Sequence, residues 1–117
     1  MIKLKRAYEP YDESDGYRIL VDRLWPRGVS KEDAKIDEWA KDIAPSTQLR
    51  KWYSHEVPKW PVFGQMYTEE LQKNEGTTLR AIKEKQAKET VTLVYAAKDE
   101  AHTHALVLKD FIQNMKG

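Results

Sequence analysis

The sequence predicts a single α/β domain over residues 1–117, with a small, mainly parallel three-stranded sheet flanked by helices in an α/β/α layering. Three observations carry this. The run from Val91 to Ala97 is apolar on both parities, as a strand covered on both faces reads. Two shorter strand-like segments lie far upstream of it. The stretch between them and the run carries apolar residues at helical spacing, and a helical return is what parallel strands require.

The first strand is Ile2 to Arg6, where apolar Ile2 and Leu4 alternate with Lys3 and Lys5. Lysines in such a strand discourage edge pairing, so it is placed on the outside of the sheet. Glu9 to Gly16 carries Pro10, Asp12, Ser14, Asp15 and Gly16, residues that fix or free the backbone for turns, and reads as a loop. Tyr17 to Leu24 is a second strand, mostly apolar, β-branched or aromatic, ending near Trp25-Pro26 because proline cannot donate to a ladder.

Ser30 followed by Asp33 marks a short helical turn, after which Trp39, Ala40 and Ile43 recur at helical spacing. Ser46 or Thr47 caps a helix with Leu49, Trp52 and Tyr53 on its apolar side, ending near His55. Pro58 and Pro61 fit the opening turn of the next helix, whose first N–H groups have no partner in any case. Trp60, Phe63, Tyr67 and Leu71 form its apolar face, and Gly76 stops it. Thr77 or Thr78 caps a helix through Leu79 and Ile82 to about Lys88. After the central strand, Glu100 to Met115 forms the last helix, with His104, Leu108, Phe111, Ile112 and Met115 on one side and Asp99 as its cap.

Hydrophobic residues make up 40% of the chain and charged residues 33%, enough apolar side chain to offset the entropy of ordering. The absence of cysteine excludes a disulfide framework, a thiolate nucleophile and metal sites built on sulfur, and suits a reducing compartment. The first residues lack the apolar run of roughly 7–15 residues that a signal peptide needs. No stretch reaches the ~20 apolar residues of a membrane span. The expected location is cytoplasmic, without membrane association. Twenty basic against nineteen acidic residues leave a net charge of +1, so charge gives no strong signal for nucleic acid. No Gly-x-Gly-x-x-Gly, phosphate-loop or nucleophile-elbow pattern occurs, and no motif specifies a cofactor or an oligomeric state.

Three blocks carry a resemblance: DRLWPRG at 22–28, DEWAKDIAPS at 37–46 followed by LRKWYSH, and LVYAAKDEAHTHALVLKDFI at 93–112. Together they resemble the YeaO-like family of small prokaryotic proteins, grouped as domain of unknown function 488, over nearly the whole chain. The resemblance implies an α/β fold with a polar strand–helix junction, and no particular activity. More distant relatives carry a Cys-His-Arg-like triplet at the start of the last helix, where this chain reads Thr103-His104-Ala105. A role that needs that cysteine or arginine is therefore not implied here.

In open parallel sheets, ligands bind beyond the carboxyl ends of the strands. Two polar clusters map there: Asp22, Arg23 and Arg27 with Trp25 between them after the second strand, and Lys98, Asp99, Glu100, His102 and His104 after the central one. If these strands run parallel, both clusters open on one edge, beside the amino end of the last helix. Arg23, Trp25, Arg27, Lys98, Asp99, His102 and His104 are the expected ligand-binding residues, and a small phosphate- or carboxylate-bearing anion is the expected partner. His102, His104 and Asp99 are the candidate catalytic groups. In such a role an imidazole transfers the proton and Asp99 orients it. The helix terminus favours neutral imidazole at His102.

Each piece also has a structural explanation. Arg23 and Arg27 can pair with Asp22, Asp37 or Glu38 to tie down the loop. Asp99 can be a plain cap, and His104 shares the apolar stripe of its helix. Trp25 is either a stacking platform for a ring or a loop anchor. Together these describe a non-catalytic interaction or regulatory module. No metal site is expected, since residues two apart on a helix do not face each other and His102 and His104 would need Asp99, Glu100 or the distant His55.

Overall fold

The computed structural model describes residues 1–74 and 76–116; Glu75 and Gly117 lie outside them. The chain folds as an α/β protein around a parallel sheet of β1 (Ile2–Arg6), β2 (Tyr17–Leu20), β3 (Glu38–Trp39) and β4 (Val91–Tyr95), ordered β1-β4-β2-β3. Every pairing is parallel: Ile2 lies opposite Val91, Tyr17 opposite the same residue, and Ile19 opposite Glu38. Among the described residues the sheet therefore has four strands, one more than the sequence suggests. β4 is central and wholly buried, and β1 is an outer strand, both as expected.

The fourth strand falls at Trp39, where helical spacing with Ala40 and Ile43 was the signal. Asp37 and Ala40 donate their N–H groups to Arg18 and Leu20, drawing this short segment onto the edge of β2, and the 3-10 turn Lys41–Ile43 follows. A two-residue strand is too short to show a period of two, so its pattern cannot be told from a helix. β2 itself ends at Leu20, not Leu24. One more ladder bond, from Val21 N–H to the Val94 carbonyl, closes it. Beyond that, side chains replace strand partners: the Asp22 carboxylate accepts the Ala96 N–H, and Trp39 Nε1 donates to the Asp22 carbonyl.

The helices are α1 (Lys31–Ala34), α2 (Thr47–Tyr53), α3 (Trp60–Lys73), α4 (Thr77–Lys88) and α5 (His104–Asn114). Ser30 and Ser46 cap α1 and α2, each accepting an N–H with its hydroxyl. Pro58 sits in a separate 3-10 turn, Val57–Lys59, while Pro61 opens α3. α3 ends at Lys73, ahead of Gly76, which itself precedes α4 without a side-chain cap from Thr77 or Thr78. Among the described residues, no helix is long and apolar enough to cross a membrane.

Strand alternation divides the core in two. One face, with Ile2, Ile19, Val21, Val91, Leu93 and Tyr95, packs against α2, α3, α4 and α5 through residues such as Leu49, Phe63, Tyr67, Leu79, Leu108 and Ile112. The other, with Ala7, Leu20 and Val94, is covered by Trp25, Ile36 and Trp39 from the loops around the single-turn α1. The α/β/α layering is thus present but unequal. Trp60 packs as expected, whereas Trp52 is 40% exposed beneath Lys59, because it stands on the outer side of the short α2.

The thin face holds a buried ionic cluster that the sequence reading missed. Arg18 is 1% exposed and donates to the Ala34 carbonyl through Nε and Nη2 and to Asp15 at 2.6 Å, while Lys5 reaches the same carboxylate at 3.1 Å. The Thr92 hydroxyl donates to the Asp15 carbonyl. Next to it Gly16 has φ +65°, and a Cβ there would lie 2.2 Å from the Thr90 oxygen. Only glycine fits that close approach.

Candidate functional site

Because all four strands run the same way, everything that follows a strand emerges on one edge of the sheet. That edge carries a cleft of about 600 Å³. Its lining takes Tyr8 from beyond β1, Asp22 to Arg27 from beyond β2, Ala44 and Pro45 from beyond β3, and Ala96 to Asp99 with His102 to His104 from beyond β4. Arg50, Tyr53 and His55 from the end of α2 and Phe63 from α3 complete the wall. The structure thus brings all seven expected residues, Arg23, Trp25, Arg27, Lys98, Asp99, His102 and His104, into one cleft.

Their individual settings differ. Arg23 donates to the carbonyls of Pro45 and Ala44, joining two loops of the rim. It pairs with none of the acids considered for it: Asp37 accepts the Arg18 N–H, and Glu38 accepts the Tyr17 hydroxyl. Arg27 is exposed, and its carbonyl accepts the Tyr8 hydroxyl. Among the described residues, no ion pair or side-chain hydrogen bond holds the charged ends of Arg27, Arg50 or Lys98. Trp25 donates Nε1 to the Val29 carbonyl at 2.7 Å and meets Trp39 edge to face at 5.4 Å, which anchors its loop.

After β4 the chain departs from expectation. α5 begins at His104, not Glu100, and its cap is Thr103, whose hydroxyl accepts the Ala105 N–H; Asp99 does not cap the helix. Asp99 instead closes a separate turn, accepting the N–H groups of Ala101 and His102 with one oxygen and meeting His102 Nδ1 at 2.7 Å with the other. An aspartate that satisfies amides two and three residues on ends a local turn as readily as it starts a helix. The hydrogen bond from His102 holds the Asp99 carboxyl below its ordinary value. His102 lies ahead of the helix, and the imidazole in the first turn is that of His104. The His102 ring meets Trp60 edge-on, and the His102 carbonyl accepts the Tyr53 hydroxyl.

His104 and Asp22 form the floor. His104 Nε2 lies 3.0 Å from the Val21 carbonyl and 3.2 Å from Asp22 Oδ1, with the two side chains 15% and 17% exposed. Asp22 Oδ2 accepts the Ala96 N–H at 2.9 Å. Oδ1 is, among the described residues, the one buried side-chain nitrogen or oxygen without a hydrogen-bond partner. Burial pushes the Asp22 carboxyl up, opposed by His104 and the Ala96 N–H, and pushes the His104 imidazole down, opposed by Asp22 and the Val21 carbonyl. Among the described residues, no group of three or more His, Asp and Glu side chains is placed to hold a metal ion.

Asp22 was visible in the sequence as part of the first cluster but not as a ligand-facing group; its place as the first residue past a buried ladder was the available signal. Arg50 and Tyr53 carry no sequence signal toward the site, and His55 entered only as a distant complement to a metal shell; the packing of α2 brings all three to the cleft.

A parallel α/β fold with a cation-rimmed cleft at the carboxyl edge of its sheet is the class these features define. The chain belongs to the DUF488 family: the family model described as "Inactive DUF488-N3 subclade" matches residues 1–116. It is similar to the uncharacterized protein YeaO of Escherichia coli, 48% identical over 97% of this chain and 98% of the relative. The uncharacterized proteins Mb3100c of Mycobacterium bovis and Rv3073c of Mycobacterium tuberculosis are each 38% identical over 95% of this chain and 92% of their own length. No solved structure matches the chain.

Proposed function

We propose that this is a cytoplasmic protein whose cleft binds a small anionic ligand bearing a phosphate or carboxylate. The observation that carries the reading is charge: Arg23, Arg27, Arg50 and Lys98 line one cleft without a carboxylate partner among the described residues, against Asp22 and Asp99, of which Asp99 is engaged by His102. Cations of one sign focused in a concave site attract and hold an anion more strongly than the same charges spread over a surface. The family description "inactive", together with threonine at position 103 in a chain without cysteine, supports binding over turnover.

Two residues favour the rival, structural reading at their own positions. Arg23 and Trp25 direct their donors to backbone carbonyls and hold loops together. The test therefore leaves them intact. Inorganic phosphate should raise the melting temperature of the native chain, and the triple variant Arg27→Met, Arg50→Met, Lys98→Met should melt near the native temperature without phosphate yet lose the response. A native chain indifferent to phosphate, or a variant that responds undiminished, would rule the reading out and leave the interaction module standing.

A further inference from the structure

Resting on the anion-binding reading, we infer that His104 is the group that meets the anion at the floor of the cleft, taking up a proton on Nδ1 as the anion binds. The geometry begins behind the ring. The Val21 carbonyl only accepts hydrogen bonds, so Nε2, 3.0 Å away, carries the hydrogen; Asp22 Oδ1, 3.2 Å from the same nitrogen, reinforces that choice. In the neutral ring Nδ1 is then an acceptor with a free lone pair. No hydrogen bond reaches it among the described residues. Among the described residues Asp22 Oδ1 is the one buried unpartnered side-chain atom, so Nδ1 keeps some exposure, on a side chain that lines the cleft.

A lone pair facing an anion repels it, whereas Nδ1–H⁺ donates a charge-assisted hydrogen bond to it. Protonation also gives Asp22 Oδ1, buried and short of a donor, an imidazolium to face. One proton thus improves two contacts, on either side of one ring. The groups facing the pair sort by sign. Asp22, from beyond β2, favours the proton. His55, just past α2, acts against the proton on His104, while Arg50 of α2 favours the charged carboxylate of Asp22. Tyr67 of α3 meets the ring edge-on at 5.9 Å with its hydroxyl committed to the Ile43 carbonyl. Arg23, Lys98, Asp99 and His102 line the same cleft from the two loops. Desolvation keeps His104 neutral in the empty cleft, so the proton arrives with the ligand.

The test uses inorganic sulfate, which does not titrate near neutral pH, so that any proton taken up belongs to the protein. Calorimetric titration at pH 7.5 in two buffers of different ionisation enthalpy should show about one proton bound per sulfate, and His104→Gln, whose amide nitrogen still reaches the Val21 carbonyl, should lose that uptake. His55→Gln and His102→Gln examine the other two imidazoles, and uptake that disappears with either of them overturns the assignment. Independently of any variant, histidine ¹⁵N spectra of the native chain should show His104 as the Nε2–H tautomer when free and as imidazolium with sulfate; an unchanged neutral ring contradicts the inference. Sulfate that binds without proton uptake removes this inference and leaves the anion reading standing. Sulfate that does not bind removes this inference, and the anion reading then stands or falls with the phosphate response.

Discussion

At the scale of single residues, a buried ionic restraint lies away from the cleft, at Asp15. Burial pushes its carboxyl up, but Lys5, the Asp12 N–H and Arg18 outweigh it and hold it below the ordinary value of 3.8. A carboxyl lowered by folding contributes stability that is fully present above its unfolded value and is lost as pH falls through the lower, folded value. Acid should therefore weaken the fold in that range. Asp15→Ala should remove the effect and cost about 3–5 kcal/mol in urea denaturation at neutral pH, because the 1%-exposed Arg18 is left as a buried charge without its carboxylate. A loss below about 1 kcal/mol would show that the Ala34 carbonyl alone satisfies Arg18. In the sequence Asp15 reads only as a turn residue. Arg18 reads only as a break in an apolar strand, and the fold buries it against Asp15 and the Ala34 carbonyl.

At the scale of elements, the start of α5 sets the site. Thr103 caps the helix, and the residue immediately inside the cap is His104. Thr103→Ala should cost about 1 kcal/mol of stability by urea denaturation, and should also weaken phosphate binding if the cap fixes the imidazole. Unchanged stability would mean that packing of Ala105, Leu108 and Ile112 positions the helix without its cap. The long elements were legible because their patterns repeat: β4 is apolar on both parities, and α3 shows Phe63, Tyr67 and Leu71 at helical spacing. β3 and the true start of α5 were not, for the opposite reason. A two-residue strand has no period, and Asp99 and Thr103 are both good caps, so only the packing of the turn between them decides which one opens a helix.

At the scale of the whole molecule, parallel topology does the assembling. Asp22 and His104 are far apart in sequence, yet the order β1-β4-β2-β3 puts β2 beside β4 and brings the two side chains within 3.2 Å. The expectation that the arginine loop and the histidine turn share one edge needed only that these strands be parallel neighbours, which the alternating strand and helix patterns supported. The contribution of α2, with Arg50 and His55, needed the full fold. Phosphate titration followed by backbone amide NMR on the native chain tests the cleft most directly, since it reports where an anion sits as well as whether it binds. The largest shift changes are predicted at residues 22–27 and 96–104, from two loops separated in sequence and joined only at this edge. Changes centred elsewhere, or none at millimolar phosphate, would contradict an anion-binding cleft.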